Sequence, residues 1–291
     1  MINPLVLTYK NRIVVFDIIK VTCIIWIVFI WHFCDYLPQN NGFKGYVMTS
    51  PVCKSITNNV LGIFCFISGI LTNLLFPRGI NATRLYYYKQ LKQYYIPYAL
   101  ACITLYITPT PIGGQFLTEG QLILSIIGIQ ELAFAPIATL WYMNMLLIFL
   151  FVAPIIVKQL LLLKRIVLSI SIYALFLILS NVLDIIDPRF ITYMPFFLLG
   201  LNIPLDKILL VRIELSKNIV ADGLCLFSSS VLSIYLFHRQ MYYFFLQYMK
   251  LPILIVFLLI ISTGILIQKR VIIISNDTCL HNLYRGDKLI N

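Results

Sequence analysis

Apolar residues run through this chain in long blocks separated by short polar clusters. Eight blocks approach the length of a bilayer-crossing helix: residues 13–34, 56–76, 94–108, 139–157, 166–183, 190–204, 219–237 and 251–268. About 20 apolar residues at 1.5 Å per residue cross roughly 30 Å of hydrocarbon. The third and sixth blocks are the shortest. A membrane barrel would show alternating segments of about ten residues instead. The pattern predicts an all-α polytopic transmembrane bundle of about eight spans over residues 1–268, with a short tail over 269–291. Residues 121–138 (QLILSIIGIQELAFAPIA) form a ninth apolar stretch. With Glu131 and Pro136 inside it, this stretch is expected to lie in the interface or re-enter the membrane. No internal repeat or low-complexity segment divides the chain.

Composition agrees. Sixty per cent of the 291 residues are hydrophobic and 11% are charged. A soluble domain carries about 25% charged residues, so a soluble enzyme, a disordered chain and a secreted disulfide scaffold are excluded. The net charge of +11 becomes informative once it is placed on the two sides of the membrane. With eight alternating helices and the N-terminus inside, the inner segments 1–12, 77–93, 158–165, 205–218 and 269–291 hold 16 of the 22 Lys and Arg. The outer segments hold 5, and Lys20 lies within the first helix. This asymmetry predicts a multi-pass protein of the plasma (inner) membrane with both termini cytoplasmic. It accounts for the basic charge without nucleic acid. The start, MINPLVLTYKNR, has no separate apolar core before a cleavage site, so the first block is read as a span.

The seven cysteines make no CxxC pair, and their spacing suits neither a zinc site nor a disulfide framework. Cys34 and Cys53 flank one loop and would be able to pair in an oxidising space.

Ionisable residues inside a span are functional candidates by default. The first block holds Asp17, Lys20 and His32. Asp17 and Lys20 are three apart on one helical face and can pair, as structure or as function. His32 stands 15 residues beyond Asp17, roughly 22 Å along the axis, near the outer end. There it is either an interfacial ring beside Trp31 or a working imidazole. The segment RGINATRLYYYKQLKQYYIPY mixes four basic residues with six tyrosines. It reads either as a positive-inside loop with an aromatic belt or as a grip for phosphates with ring faces for a base. Ser68-Gly69 permits close helix packing. Trp141 and Asn144 open the fourth block. His238 and Arg239 end SSSVLSIYLFHRQM, where an interfacial His-Arg is more often structural. His281 carries no signal, and the sequons at Asn81 and Asn276 fall on the inner side.

Taken in order, RIVVFDIIK followed by His32, FCFISG, YKQLKQYYIPY, LWYMNMLLIF, FFLLG and SIYLFH resemble the acyltransferase type 3 family of integral-membrane enzymes, which O-acetylate cell-surface sugars. The resemblance runs from Arg12 to about Lys269. It implies acetyl-CoA as a cytoplasmic co-substrate, no permanently bound cofactor, and a glycan or lipid-linked sugar as acceptor. It places Lys20 and His32 at the family's basic residue and histidine. It makes His32 the general base and Asp17 a charge-balancing group, and lets Lys20 meet the pantetheine or phosphate arm. Arg84, Lys89 and Lys92 would hold the CoA phosphates. No cysteine or serine has an evident base partner, so no covalent acyl-enzyme is expected.

Three departures from the family pattern carry structural consequences. Eleven residues, not ten, separate Lys20 from His32. In a regular helix, twelve positions at 100° each set the two about 120° apart, so a shared cavity demands a π-bulge between them. The family's paired arginines before a proline are Gln90 and Gln93 here, with Lys89 and Lys92 beside them; lysine binds phosphate only as a point charge. Only 33 residues separate Gly200 from Ile234, where the family usually fits two further helices. These departures keep a non-catalytic member of the fold open as an alternative. A polysaccharide flippase or polymerase is the other, although such proteins are usually longer.

Overall fold

The structure is a computed structural model that describes residues 5–9, 12–76, 81–107, 118–129, 140–181, 187–203, 211–214 and 219–276. Each of the eight apolar blocks folds as a helix. The first, α1, begins as Val14–Ile24 and continues through a π-helical stretch, Ile25–Trp31, into a 3₁₀ turn, His32–Tyr36. A short α2, Gly42–Thr49, leads into α3, Pro51–Leu75. Then come α4, Ala82–Gln90, a π turn Leu91–Tyr95, and α5, Ile96–Ile107. The rest are α6, Glu119–Ile127; α7, Leu140–Val157; α8, Leu162–Asn181; α9, Pro188–Asn202; α10, Ile219–Tyr242; and α11, Ile253–Asn276. Five spans are long and apolar enough to cross a membrane: Val14–Tyr36, Pro51–Leu75, Leu140–Val157, Leu162–Asn181 and Val220–Tyr248. The apolar part of α11, Ile253–Lys269, is shorter, as are α5 and α9.

Local chemistry sets the starts and stops. Ser50 accepts from Cys53 N, and Pro51 stands at the first position of α3, where its missing N–H costs nothing. Asp187 and Pro188 open α9 in the same way. Thr118 and Gln121 form a reciprocal capping box for α6, and Gly128 ends that helix at φ 82°, a conformation that favours glycine.

One expectation needs correction. The segment read as an inner loop over 77–93 is helical from Ala82 onward. Pro154 explains why. It sits inside α7 and has no N–H for the carbonyl of Leu150, four residues back. Tyr86 Oη donates to that carbonyl at 3.0 Å, and Tyr87 Oη donates to Phe151 O at 2.8 Å. The tyrosines that suggested ring faces for a base thus brace α4 against α7. Likewise Tyr95 and Tyr98 donate to Ile126 O and Ser125 O, which ties α6 to the bundle. The first part of the ninth stretch is therefore a helix packed on α5; its remainder, with Glu131 and Pro136, lies outside the described residues.

Helix α8 shows the solvent the fold is built for. Its buried residues are Arg165, Ser169 and Ser180, while Ile166, Val167, Ile170, Leu175, Leu177 and Ile178 are exposed. Polar inside and apolar outside is unfavourable in water and favourable in hydrocarbon. Helices α3 and α9 cross closely. A Cβ on Gly69 would run into the backbone of Phe197, and one on Gly200 into that of Phe66. The small step at Ser68-Gly69 and the glycine of FFLLG therefore meet each other.

One feature was not legible in the hydropathy pattern. Strand β1, Leu5–Tyr9, pairs antiparallel with β2, Arg12–Ile13, and parallel with β3, Val211–Glu214. This small sheet joins the segments that precede α1 and α10, so the two helices start side by side and run in the same direction.

Candidate active site

Helices α1 and α10 carry polar groups facing each other at both ends of their contact. At the N-terminal end, Asp17 is 2% exposed. It accepts from Ser228 Oγ at 2.6 Å and pairs with Lys20 Nζ at 3.4 Å. A buried carboxylate is tolerable only when paired and hydrogen-bonded, and here it also ties two helices together.

At the C-terminal end, His32 Nδ1 and His238 Nε2 are 2.8 Å apart. The two rings are within 6° of parallel. A nitrogen contact this short rules out rings stacked face to face, so they meet edge to edge. His238 is fully buried, and its Nδ1 is 2.6 Å from Tyr235 O. One residue further on, Arg239 forms an ion pair with Asp35 at 2.9 Å. Tyr36 Oη donates to Arg239 O at 2.9 Å. Among the described residues, no cysteine or serine side chain hydrogen-bonds either imidazole. Cys34 directs its thiol to Ile30 O, and Cys34 and Cys53 are both free thiols.

The π turn is what makes the histidine contact possible. The His32 N–H reaches back five residues to Ile27 O, inserting the extra residue that twelve positions required. The carbonyl of Val28, four residues back from His32, accepts from Tyr242 Oη at 3.1 Å. A tyrosine of α10 thus supports the irregular turn of α1, in keeping with the rule that non-helical backbone at membrane depth is buried in protein. Trp26 donates to Thr57 at 2.9 Å on the α3 side. Beyond the histidines, an open cleft of about 560 Å³ is lined by Phe33, Tyr36, Asn41, Phe43, Leu246 and Gln247, among others.

The residues predicted from the sequence therefore fall into separate places. Asp17 and Lys20 form one cluster, and His32 stands in another, roughly 20 Å along the same helix. Arg84 and Lys89 are exposed on α4, and Lys92 Nζ lies 4.7 Å from the centre of the Tyr88 ring. Sequence reasoning missed Asp35 and took His238 and Arg239 as a lone interfacial pair; only contacts more than 200 positions apart in the chain reveal their role. It also counted Arg165 only as a topology charge. That residue is buried and donates to Asn73 Oδ1 at 3.0 Å and to Leu201 O at the end of α9, where a cation suits the helix C-terminus.

A bundle of apolar helices with two imidazoles hydrogen-bonded at one end of a helix–helix seam defines a helical membrane protein. A family model described as an acyltransferase domain, acyltransferase type 3, matches residues 13–203. That is 191 of 291 residues, and the chain belongs to this family of membrane acyltransferases. The match includes Asp17, Lys20, His32, Arg84, Lys89 and Lys92; His238 and Arg239 lie beyond it. No curated protein and no solved structure matches the chain.

Proposed function

We propose that this acyltransferase moves an acetyl group from cytoplasmic acetyl-CoA to a sugar hydroxyl of a surface or capsular polysaccharide, with His32 as general base. The observation that carries the reading is the π-helical turn that presents His32 to a hydrogen-bonded partner at one end of the α1–α10 seam. An unoriented imidazole facing lipid would have no such supports. In the reaction the hydroxyl oxygen attacks the thioester carbonyl while His32 takes its proton. The carbon–sulfur bond then breaks and the leaving thiolate takes that proton from His32, giving the ester and free CoA. Lys20 meets the extended arm of the donor, with Asp17 balancing its charge. Arg84, Lys89 and Lys92 attract the donor phosphates as point charges.

The orientation proposed is a plasma-membrane protein with both termini inside. Two contacts support the assignment of segments to sides. Strand β1 pairs with β3, joining two segments assigned to the inner face. Asp35 pairs with Arg239, joining two assigned to the outer. Reporter fusions after Arg270 and after Asn40 should score as inside and outside; the reverse would overturn the orientation. The function is tested by the acetyl ester content of the surface glycan in cells with the chain, without it, and with His32→Ala. Acetylation that needs both the chain and His32 supports the reading, and equal content in all three strains overturns it.

A further inference from the structure

The hydrogen bonds around His238 determine which nitrogen of His32 is basic. A carbonyl oxygen only accepts, so the 2.6 Å contact of His238 Nδ1 with Tyr235 O requires a hydrogen on that nitrogen. A neutral imidazole carries one N–H and one lone pair, which leaves His238 Nε2 as the acceptor. Two lone pairs do not face each other at 2.8 Å, so His32 Nδ1 carries the hydrogen of the pair. His32 Nε2, on the far side of the ring, is left bare. A charged His238 would reverse the donor, but that ring is fully buried and the neighbouring carboxylate, Asp35, is already held by Arg239. Among the described residues, no carboxylate hydrogen-bonds either ring, and an unpaired imidazolium there would be strongly disfavoured.

We infer that His238 is a positioning residue that locks His32 in the Nδ1–H tautomer and so makes Nε2 the atom that takes the acceptor's proton. This rests on the reading of His32 as general base. The lock does two things. It removes the tautomer with the wrong nitrogen protonated, which free histidine favours. It also keeps an acceptor on Nδ1–H after Nε2 has gained its proton, so the imidazolium formed during transfer stays hydrogen-bonded. The second imidazole thus has the orienting role that a carboxylate plays in a catalytic triad.

The chain has three histidines, so the ring nitrogens of the full-length ¹⁵N-histidine protein in nanodiscs can be assigned by single substitutions, His281→Gln among them. His32 should show a protonated Nδ1 and a bare Nε2. His238→Gln places an amide oxygen near the former Nε2 and should keep both the tautomer and most of the turnover. His238→Leu removes the acceptor. It should mix the tautomers and lower kcat by roughly 10- to 10⁴-fold, with the acceptor's KM little changed. A protonated Nε2 on His32 in the wild-type spectrum overturns the inference, whether or not His238→Leu folds. So does wild-type turnover in His238→Leu. Turnover in His32→Ala would instead overturn the base assignment, and the positioning role with it, while the nitrogen spectrum still reports the lock; the two failures are distinguishable.

Discussion

The two ends of the α1–α10 seam use similar ingredients to different effect. At the N-terminal end, a buried carboxylate, an ammonium and a hydroxyl satisfy one another locally, with Asp17 holding both Lys20 and Ser228. The helix there is regular, and two of the three groups are a single turn apart. At the C-terminal end, two imidazoles, a guanidinium and a carboxylate meet only across the seam. They require a π turn whose support comes from Tyr242 on the other helix. The first cluster ties the two helices together. The second holds His32 with one ring nitrogen engaged by a ring of the other helix. An irregular backbone stretch persists only when its surroundings over-determine it, and here those surroundings orient His32.

That contrast makes predictions of decreasing size. The largest concerns His32. His32→Ala should lower acyl transfer by about 10²–10⁴-fold with little change in folded yield, measured as ester formed per amount of purified protein. Comparable loss of yield would move the C-terminal cluster into the structural class. The complement is Asp17→Ala, which leaves the Lys20 ammonium and the Ser228 hydroxyl without their shared acceptor. A thermal melt in detergent should show a loss of about 1–3 kcal/mol, reduced because Lys20 keeps some access to polar surroundings. Per folded molecule, transfer should fall far less than in His32→Ala. If the order is reversed, the roles of the two ends are exchanged.

Arg84, Lys89 and Lys92 test whether the donor approaches from the N-terminal end. Changing all three to Gln should raise the donor's KM roughly tenfold, the sum of three partly exposed charge contacts, with kcat and the melt unchanged. An unaltered KM would leave these residues as topology charges alone.

The smallest expected effect is on pH. Asp187 lies before α9, outside the membrane-spanning segments. Burial pushes its pKa up, but hydrogen bonds and charge from Arg189 outweigh this and hold it below the ordinary carboxylate value. Its contribution to stability is therefore complete above the unfolded pKa of about 3.9. It disappears only as the pH falls through the lowered folded value. Asp187→Asn should therefore lower the melt slightly at neutral pH, and its difference from the wild type should vanish as the pH falls through the lowered folded value, since the amide oxygen can still accept from Arg189 N.

Much of the architecture was legible because hydrocarbon is an undemanding solvent to read. Every apolar block became a helix, since backbone groups without water must bond within their own segment. The π turn was legible too, as a mismatch between twelve positions and the 3.6-residue period. The helix over 82–95 was not, because its charged and tyrosine-rich composition resembles a loop until Pro154 exposes a carbonyl for Tyr86 to meet. The partner of His32 was invisible for the same kind of reason. His238 lies 206 positions away, and nothing local distinguishes a catalytic imidazole from an interfacial one.

The sequence by itself determined the solvent, the helices, and the angular problem that the first helix had to solve. These follow from local quantities: block length, the 100° step, and the obligation of each peptide group to find a partner. Only the tertiary structure decided which groups of α10 meet Asp17 and which meet His32. That choice depends on which side chains of α10 come level with Asp17 and His32. The pairing of β1 with β3 and the packing of Tyr242 under the π turn set that level, and neither is written in the composition of either helix.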